Sequence, residues 1–370
     1  MYAGERKNKI LNQEEKTRSE RYLTSSPIRI SMNMTGKCNI RCIYCHLIFA
    51  DYFTKQELSL NVFKKLRSFL KRVSHLVFFS STEPLMAKYF DEAFDYSKEF
   101  ETETYLSTNG LLIDDKRAER FVTGKLQFLT VSFGGFTEES FEIAHQVKGF
   151  SKVVENIERV NHYKKKYESE FPKIRLVHVV WKENAHELPL AVKLAKRLKC
   201  SEGLKITFLK AYDDNLIESV PFYHKQYVNS YVDEALKLAA ELDVVVTFDG
   251  GQLDESETQT DIKTQQVNRK CFEPWERMHI EADGSVRVCP IPTNTIVAGN
   301  INEDQLSDIW NGEVYRMFRD RTNSDNPPDP CKRCTHNFHK NFSREDVWDQ
   351  RDLDLGIYKR LEGRNRLKQK

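Results

Sequence analysis

Cysteine is the residue type whose spacing points most clearly to chemistry in this chain. Three of the eight cysteines share the segment GKCNIRCIYCH, and four more fill the last quarter of the sequence. Thiolates are the ligands that zinc and iron–sulfur clusters prefer. The pattern predicts two metal centres, one with three cysteine ligands and one with four. The ligands are Cys38, Cys42 and Cys45 in the first group, and Cys271, Cys289, Cys331 and Cys334 in the second.

The C-x3-C-x2-C spacing of the first group favours one kind of centre over another. Three thiolates on so short a loop can face a single inorganic group, whereas a structural zinc site takes four ligands. A [4Fe–4S] cluster in which one iron lacks a cysteine satisfies the spacing without a fourth ligand. A zinc knuckle is the alternative that the spacing leaves open.

Composition and charge exclude several function classes. The formal net charge of the 370 residues is +2, which gives no support for binding nucleic acid or an anionic membrane. No stretch of 18 consecutive apolar residues exists, and the first 26 residues lack the apolar core of a signal peptide. We therefore expect a cytoplasmic protein with reduced thiols, so that the cysteines serve as metal ligands rather than as disulfides.

The elements that must position these cysteines form an alternating pattern. Short runs rich in Val, Ile, Leu and Phe alternate with helical patterns, which predicts an α/β fold with a parallel sheet. Periodicity alone leaves a doubly wound sheet and a full or partial barrel open. In either fold the site lies beyond the carboxyl ends of the strands, where the first cysteine loop is placed. The predicted strands are 27–34, 75–80, 104–110, 126–133, 174–181 and 204–210.

The first cysteine loop resembles the signature of the radical S-adenosylmethionine (radical SAM) superfamily, C-x3-C-x-aromatic-C, with Tyr44 as the aromatic residue. The resemblance implies a partial (β/α)6 TIM-like barrel. It also implies a SAM-binding [4Fe–4S] cluster whose open iron chelates SAM. An external electron donor such as flavodoxin or ferredoxin would reduce the cluster. The product of SAM cleavage would be a 5'-deoxyadenosyl radical that abstracts a hydrogen atom from a substrate carbon.

Four further segments resemble the parts of that family that contact SAM. FSSTEPL resembles the G-G-E-P segment, with two small residues in place of the glycines. STNG and VVWKENAHELP follow the third and fifth strands. VSFGG follows the fourth strand, and in it Gly134 replaces the acid of the usual Ser-x-Asp-Gly. The resemblance implies cofactor contacts from Tyr44, Ser81, Thr82, Glu83, Asn109, Ser132 and Asn184.

The second cysteine group predicts a hairpin with a thiolate at each base. Twelve residues separate Cys271 from Gly284, and four separate Gly284 from Cys289. Spacing alone allows a zinc ribbon or a fully ligated cluster. The group resembles the SPASM and twitch extensions of radical SAM enzymes, and 335–370 contain no cysteine. The resemblance therefore implies the shorter twitch form, a small C-terminal iron–sulfur domain with one auxiliary [4Fe–4S] cluster that accepts or relays an electron.

These segments divide the chain into four predicted parts. A polar N-terminal extension, 1–26, precedes the partial barrel, 27–245. The twitch/SPASM-like auxiliary cluster domain, 246–340, follows, and a charged tail, 341–370, ends the chain.

Two substrate classes fit this sequence. Only about 26 residues precede the first strand, too few for the peptide-recognition domain of many relatives, so we expect a small polar substrate such as a sugar or aminocyclitol. Its dehydrogenation would make the protein a biosynthetic oxidoreductase. The alternative is epimerisation or cross-linking of a ribosomally made peptide. Epimerisation needs a hydrogen-atom donor, and Cys200 is the one cysteine that neither group claims.

Overall fold

The structure is a computed structural model that describes residues 3–45, 47, 54–78, 81–209, 211, 214–248, 253, 270–290 and 296–332. The predicted ligand Cys334 and the charged tail, 341–370, lie outside the described residues.

A single sheet of ten strands organises the described part of the chain. Strands β1 to β7 follow one another in parallel, and β8 adds to the other side of β1, also in parallel. β9 and β10 continue that edge in antiparallel pairing. The strands are β1 Arg29–Met32, β2 His75–Phe78, β3 Glu103–Thr108, β4 Phe128–Phe133, β5 Lys173–Val180, β6 Leu204–Phe208, β7 Val246–Phe248, β8 Arg277–Ile280, β9 Ser285–Arg287 and β10 Gly299–Asn300.

Helices precede the first strand, occupy most of the connections between strands and follow the last strand. The α-helices are α1 Ala3–Thr17, α2 Leu60–Lys64, α3 Arg67–Leu70, α4 Phe90–Ser97, α5 Asp115–Thr123, α6 Glu138–His145, α7 Phe150–Lys166, α8 Leu188–Arg197, α9 Lys225–Leu242, α10 Glu273–Glu276, α11 Leu306–Trp310, α12 Glu313–Arg321 and α13 Asp329–Lys332. Short 3₁₀ helices cover Pro84–Met86, Lys182–Glu187, Asp214–Ser219 and Pro221–His224.

The two faces of the sheet differ in chemistry, as β5 illustrates. Ile174, Leu176 and Val180 alternate with partly exposed neighbours and are fully buried. The residues between them, among them Arg175 and Val177, point to the other face of the sheet and are only partly buried. Alternation of this kind places one face against the helices and the other in the open interior of the barrel. The predicted α/β partial barrel is confirmed.

The predicted N-terminal extension is polar in sequence but packs against the rest of the molecule. α1 buries Asn12, whose Nδ2 donates to Ser25 Oγ at 3.0 Å and to the carbonyl of Trp275 at 2.6 Å. Glu15 is also buried and accepts from the backbone N–H of Thr24 at 2.7 Å. These buried polar groups are paired, as buried polar groups must be. No helix in the part of the chain that the structure describes is long and apolar enough to cross a membrane.

The strands of the barrel lie within or next to the predicted ranges, and two strands, β7 and β10, were not predicted. β7 begins at Val246, just past the predicted barrel boundary, and pairs in parallel with β6. The hairpin of β8 and β9 extends the same sheet from its opposite side. The boundary at 245/246 stays a prediction, since the barrel and the cysteine hairpin share one continuous sheet.

Candidate active site

The first cysteine loop leaves the carboxyl end of β1 and is held by the end of a helix. The backbone N–H of Arg41 donates to the carbonyl of His145 at 3.1 Å, and that of Ile43 donates to the carbonyl of Ala144 at 3.0 Å. The last carbonyls of a helix have no partner within the helix. The C-terminal end of α6 therefore fixes the loop through backbone groups.

The three thiols of this loop are close enough to influence one another. The pKa of Cys38 is raised to about 11, chiefly by burial, with smaller contributions from the nearby Glu83 and Cys45. Burial also raises the pKa of Cys42, with further contributions from Cys45 and Cys38. Among the described residues, no group of three or more His, Cys, Asp or Glu side chains could hold a single metal ion. In a [4Fe–4S] cluster each cysteine binds a different iron, and three thiols on one loop are a donor set that such a cluster takes.

The sulfur of Cys42 has a neighbour at hydrogen-bonding distance. Nδ1 of His145 lies 3.0 Å from Sγ of Cys42. The Tyr44 ring packs against His145, with ring centroids 6.2 Å apart, and against Trp181 at 5.8 Å. Sequence reasoning predicted Tyr44 as a site residue but missed His145.

Gly134, the departure from Ser-x-Asp-Gly, lies in a corner that His145 and Asn184 fill. The N–H of Gly134 donates to Nε2 of His145 at 2.9 Å, and its carbonyl accepts from Nδ2 of Asn184 at 2.9 Å. A Cβ at this position would stand 2.3 Å from Cβ of Ala144, so no side chain fits. Burial lowers the pKa of His145 to about 4, with His178 contributing less. The signal available in the sequence was a glycine where an acid is usual, with a histidine eleven residues later.

Glu83 of the STEP segment joins the ends of β2 and β3. Its carboxylate accepts from the N–H of Asn109 at 2.8 Å, the hydroxyl of Thr108 at 2.7 Å and the N–H of Leu85 at 3.1 Å. Burial raises the pKa of Glu83, and these three donors oppose that shift. The hydroxyl of Thr82 hydrogen-bonds Oδ1 of Asn33 at 2.5 Å. Contact of either residue with SAM stays a prediction.

The remaining predicted cofactor contacts line the same edge of the sheet. Asn109 donates from Nδ2 to Oδ1 of Asn39, inside the cysteine loop, at 2.7 Å. Asn184 is buried and also donates to the carbonyl of Val179 at 2.9 Å. Ser81 and Ser132 are partly exposed beside these residues. The predicted contacts are therefore gathered at the carboxyl ends of β2 to β5, but their contact with SAM is still a prediction.

The second cysteine group gathers around α12 and the residues that follow it. The side chain of Asn323 makes two hydrogen bonds to the backbone of Cys271. Its Oδ1 accepts from the cysteine N–H at 2.8 Å, and its Nδ2 donates to the cysteine carbonyl at 2.9 Å. The adjacent Thr322 contacts the sulfur of Cys331 at 3.9 Å. Burial is the main cause of the raised pKa of Tyr315, and the nearby Cys289 adds to this shift. Three of the four predicted ligands thus meet around one helix.

The two cysteine groups lie at opposite ends of the sheet. β8 runs parallel to β1, with Arg277 opposite Arg29. The first cysteine loop follows the carboxyl end of β1, whereas Cys271 precedes the amino end of β8. β9 is antiparallel, so it delivers Cys289 to that same amino end. A four-residue strand spans about 13 Å, and the inner face of the barrel lies between the two groups.

Cys200 lies away from the first cysteine loop. It precedes β6, at the amino end of the sheet, where its N–H donates to the carbonyl of Ala195 at 3.0 Å. Burial raises the pKa of this thiol to about 12. The placement gives no support to a role as hydrogen-atom donor beside SAM.

Two family models match the chain, one over the barrel and one over the second cysteine group. Residues 32–195 match the Radical SAM superfamily, and residues 271–335 match SPASM, an iron–sulfur cluster-binding domain. The chain belongs to the radical SAM superfamily. The SPASM match includes all four cysteines of the second group. SAM, a SAM-binding [4Fe–4S] cluster and auxiliary cluster binding follow as cofactors, which confirms the cofactor prediction.

Curated relatives of the superfamily act on different substrates. The chain is 23% identical to the PqqA peptide cyclase of Gluconobacter oxydans, over 84% of this chain and 84% of the relative. It is 22% identical to the AdoMet-dependent heme synthase of Methanosarcina barkeri, over 80% and 86%. The Fe-coproporphyrin III synthase of the same organism is 27% identical over 45% of this chain, which spans only 40% of that relative's length.

Solved structures share the fold. The structure described as native anSMEcpe with bound AdoMet and Cp18Cys peptide aligns with a TM-score of 0.59 at 18% identity. The alignment covers 90% of this chain and 95% of the other. This likeness extends over both the barrel and the second cysteine group.

Proposed function

We propose that this radical SAM enzyme cross-links two residues of a peptide substrate. The similarity to a PqqA peptide cyclase, over 84% of both chains, carries the proposal. The fold is also that of an enzyme solved with a bound peptide. These findings favour the peptide over the sugar or aminocyclitol that we expected from the short N-terminal extension.

The separation of the two cysteine groups supports an oxidative outcome. When bound, the SAM-binding cluster supplies the electron that cleaves SAM, and the auxiliary cluster is an electron acceptor. Forming one new bond between two residues removes two hydrogens from the peptide. One leaves as a hydrogen atom to the 5'-deoxyadenosyl group, and the other as a proton plus an electron, so an acceptor is required.

The chain's own residues hold and orient the reactants in this proposal. Cys38, Cys42 and Cys45 hold the first cluster, and Glu83 and Asn109 fix the strand ends against which SAM would bind. The inner face of the sheet would receive the peptide, with the 5' carbon of SAM against the hydrogen to be removed. Because Cys200 lies at the far end of the sheet, cross-linking fits better than epimerisation.

A comparison of three substrate probes tests the proposal. The reconstituted enzyme is incubated with SAM, a reductant and one probe: a synthetic peptide matching the short open reading frame nearest to the gene, coproporphyrin III, or glucose. We expect the peptide alone to stimulate 5'-deoxyadenosine formation and to lose the mass of two hydrogens. Stimulation by the porphyrin or the sugar, with an unchanged peptide, would overturn it.

A further inference from the structure

The hydrogen bonding of His145 fixes which of its ring nitrogens carries the proton. Nε2 lies 2.9 Å from the backbone N–H of Gly134, and a peptide N–H can only donate. Nε2 is therefore the acceptor, and the proton of the neutral ring is on Nδ1. Nδ1 is the nitrogen that lies 3.0 Å from Sγ of Cys42. The ring therefore donates N–H to the sulfur.

The surroundings of His145 hold this ring in place. It is the last residue of α6 and is fully buried. Its ring packs on Phe141, with centroids 4.4 Å apart. Its own carbonyl accepts from the N–H of Arg41 in the cysteine loop. The ring and the loop are consequently fixed to each other by both backbone and side chain.

Tyr44 packs on the same imidazole ring. Its ring lies between His145 and Trp181, at centroid distances of 6.2 and 5.8 Å. Because Tyr44 belongs to the cysteine loop, this contact also helps to hold the imidazole beside Cys42.

We propose that His145 raises the reduction potential of the SAM-binding cluster through its hydrogen bond to Cys42. Donors to cluster sulfurs stabilise the more negative, reduced form and so shift the potential upward. His145 is a positioning residue that acts through a predicted ligand of the cluster. The inference rests on the family's cofactor and holds for any substrate.

An EPR-monitored redox titration of the reconstituted full-length protein tests this proposal. The SAM-dependent change in the EPR signal identifies which cluster is being titrated. At a fixed potential we expect His145→Leu to lower the ratio of reduced to oxidised cluster about tenfold, which is about 59 mV for one electron. His145→Phe keeps an aromatic ring at this position without a donor and should shift the ratio in the same direction.

Two matched substitutions separate this role from packing. In His145→Asn the shorter amide can still donate to Cys42, so the potential should lie closer to that of the unaltered protein. His162 is exposed on α7, and His162→Leu should leave the potential unchanged. An unchanged potential in both His145→Leu and His145→Phe would overturn the proposal. If His145→Leu fails to fold, His145→Phe decides alone.

The tautomer can be measured without any cluster. In the apo-protein with ¹⁵N-labelled histidine, we expect His145 to show an unprotonated Nε2 and a protonated Nδ1. The opposite assignment would remove the donor and overturn the proposal.

Discussion

The two cysteine groups occupy opposite ends of one sheet, and the chain holds them in different ways. The first loop is bound by the backbone carbonyls of Ala144 and His145, at the end of α6, in addition to side-chain contacts from Asn109 and His145. The second group is held through side chains, above all the two hydrogen bonds between Asn323 and Cys271. Contacts made by backbone groups persist when a side chain is replaced, because they depend on where the helix ends. Contacts made by a side chain are lost when that one residue is replaced. Single substitutions should therefore disturb the second group more selectively.

The largest expected effects separate the chemistry of the two ends. Cys42→Ala removes a predicted ligand of the SAM-binding cluster, and we expect 5'-deoxyadenosine formation to be abolished. Cys289→Ala removes a predicted ligand of the second group, so SAM cleavage should persist while the cross-linked peptide is lost. Iron analysis and product chromatography measure both outcomes, with iron falling from about eight to about four per chain in either variant.

A different result for Cys289→Ala would show that the two cysteine groups do not have separate roles. If Cys289→Ala also abolished 5'-deoxyadenosine at full occupancy of the first cluster, the second group would be needed for SAM cleavage itself. Stoichiometric zinc in place of the second half of the iron would refute the auxiliary-cluster assignment.

Restoring the family's acid at the corner next to the first loop should destabilise the protein. In Gly134→Asp the new Cβ would overlap Ala144 and approach Tyr44 and His145. We expect a loss of about 2–3 kcal/mol in the free energy of unfolding, measured by urea titration of the apo-protein. Gly134→Ala tests the steric part alone.

Gly4 in α1 provides the matched control. Its nearest neighbour to an added Cβ is the carbonyl oxygen of Lys71 at 3.5 Å. Gly4→Ala should stabilise the protein by about 0.4–1 kcal/mol, because it restricts the unfolded chain. Equal effects of Gly4→Ala and Gly134→Ala would contradict the packing described here.

A smaller effect is expected when Asn323, which hydrogen-bonds the backbone of Cys271, is replaced. Asn323→Ala removes both hydrogen bonds to the backbone of Cys271, and loss of such supporting contacts typically weakens metal binding 10- to 100-fold. We expect roughly half of the iron to be lost to a chelator at least tenfold faster, with 5'-deoxyadenosine formation retained. Asn161→Ala, which removes one bond from α7 to the carbonyl of Leu198 just after α8, is the control. Faster loss from both clusters would show that the two ends are not independent.

The sequence allowed the cysteines, the strands and the family to be predicted, because each leaves a local pattern. The spacing of Cys38, Cys42 and Cys45 predicts a metal centre. The apolar runs predict β1 to β6. β7 was missed because three residues give too short a run to distinguish from a loop. His145 was missed because its partners, Gly134 and Cys42, are 11 and 103 positions away. Pairings at that separation are set by the tertiary fold and leave no periodic signal.

The smallest effect on turnover is expected at Cys200. Its thiol lies at the amino end of the sheet, so Cys200→Ala should leave peptide cross-linking unchanged, at a cost of about 1 kcal/mol in stability. Because burial raises the pKa of this thiol to about 12, it stays protonated from pH 7 to 9. Alkylation by iodoacetamide in the holoenzyme should be slower than that of a free cysteine by a factor on the order of a thousand. Loss of product in Cys200→Ala with continued 5'-deoxyadenosine formation would instead identify Cys200 as a hydrogen-atom donor, and epimerisation would replace cross-linking as the proposed outcome.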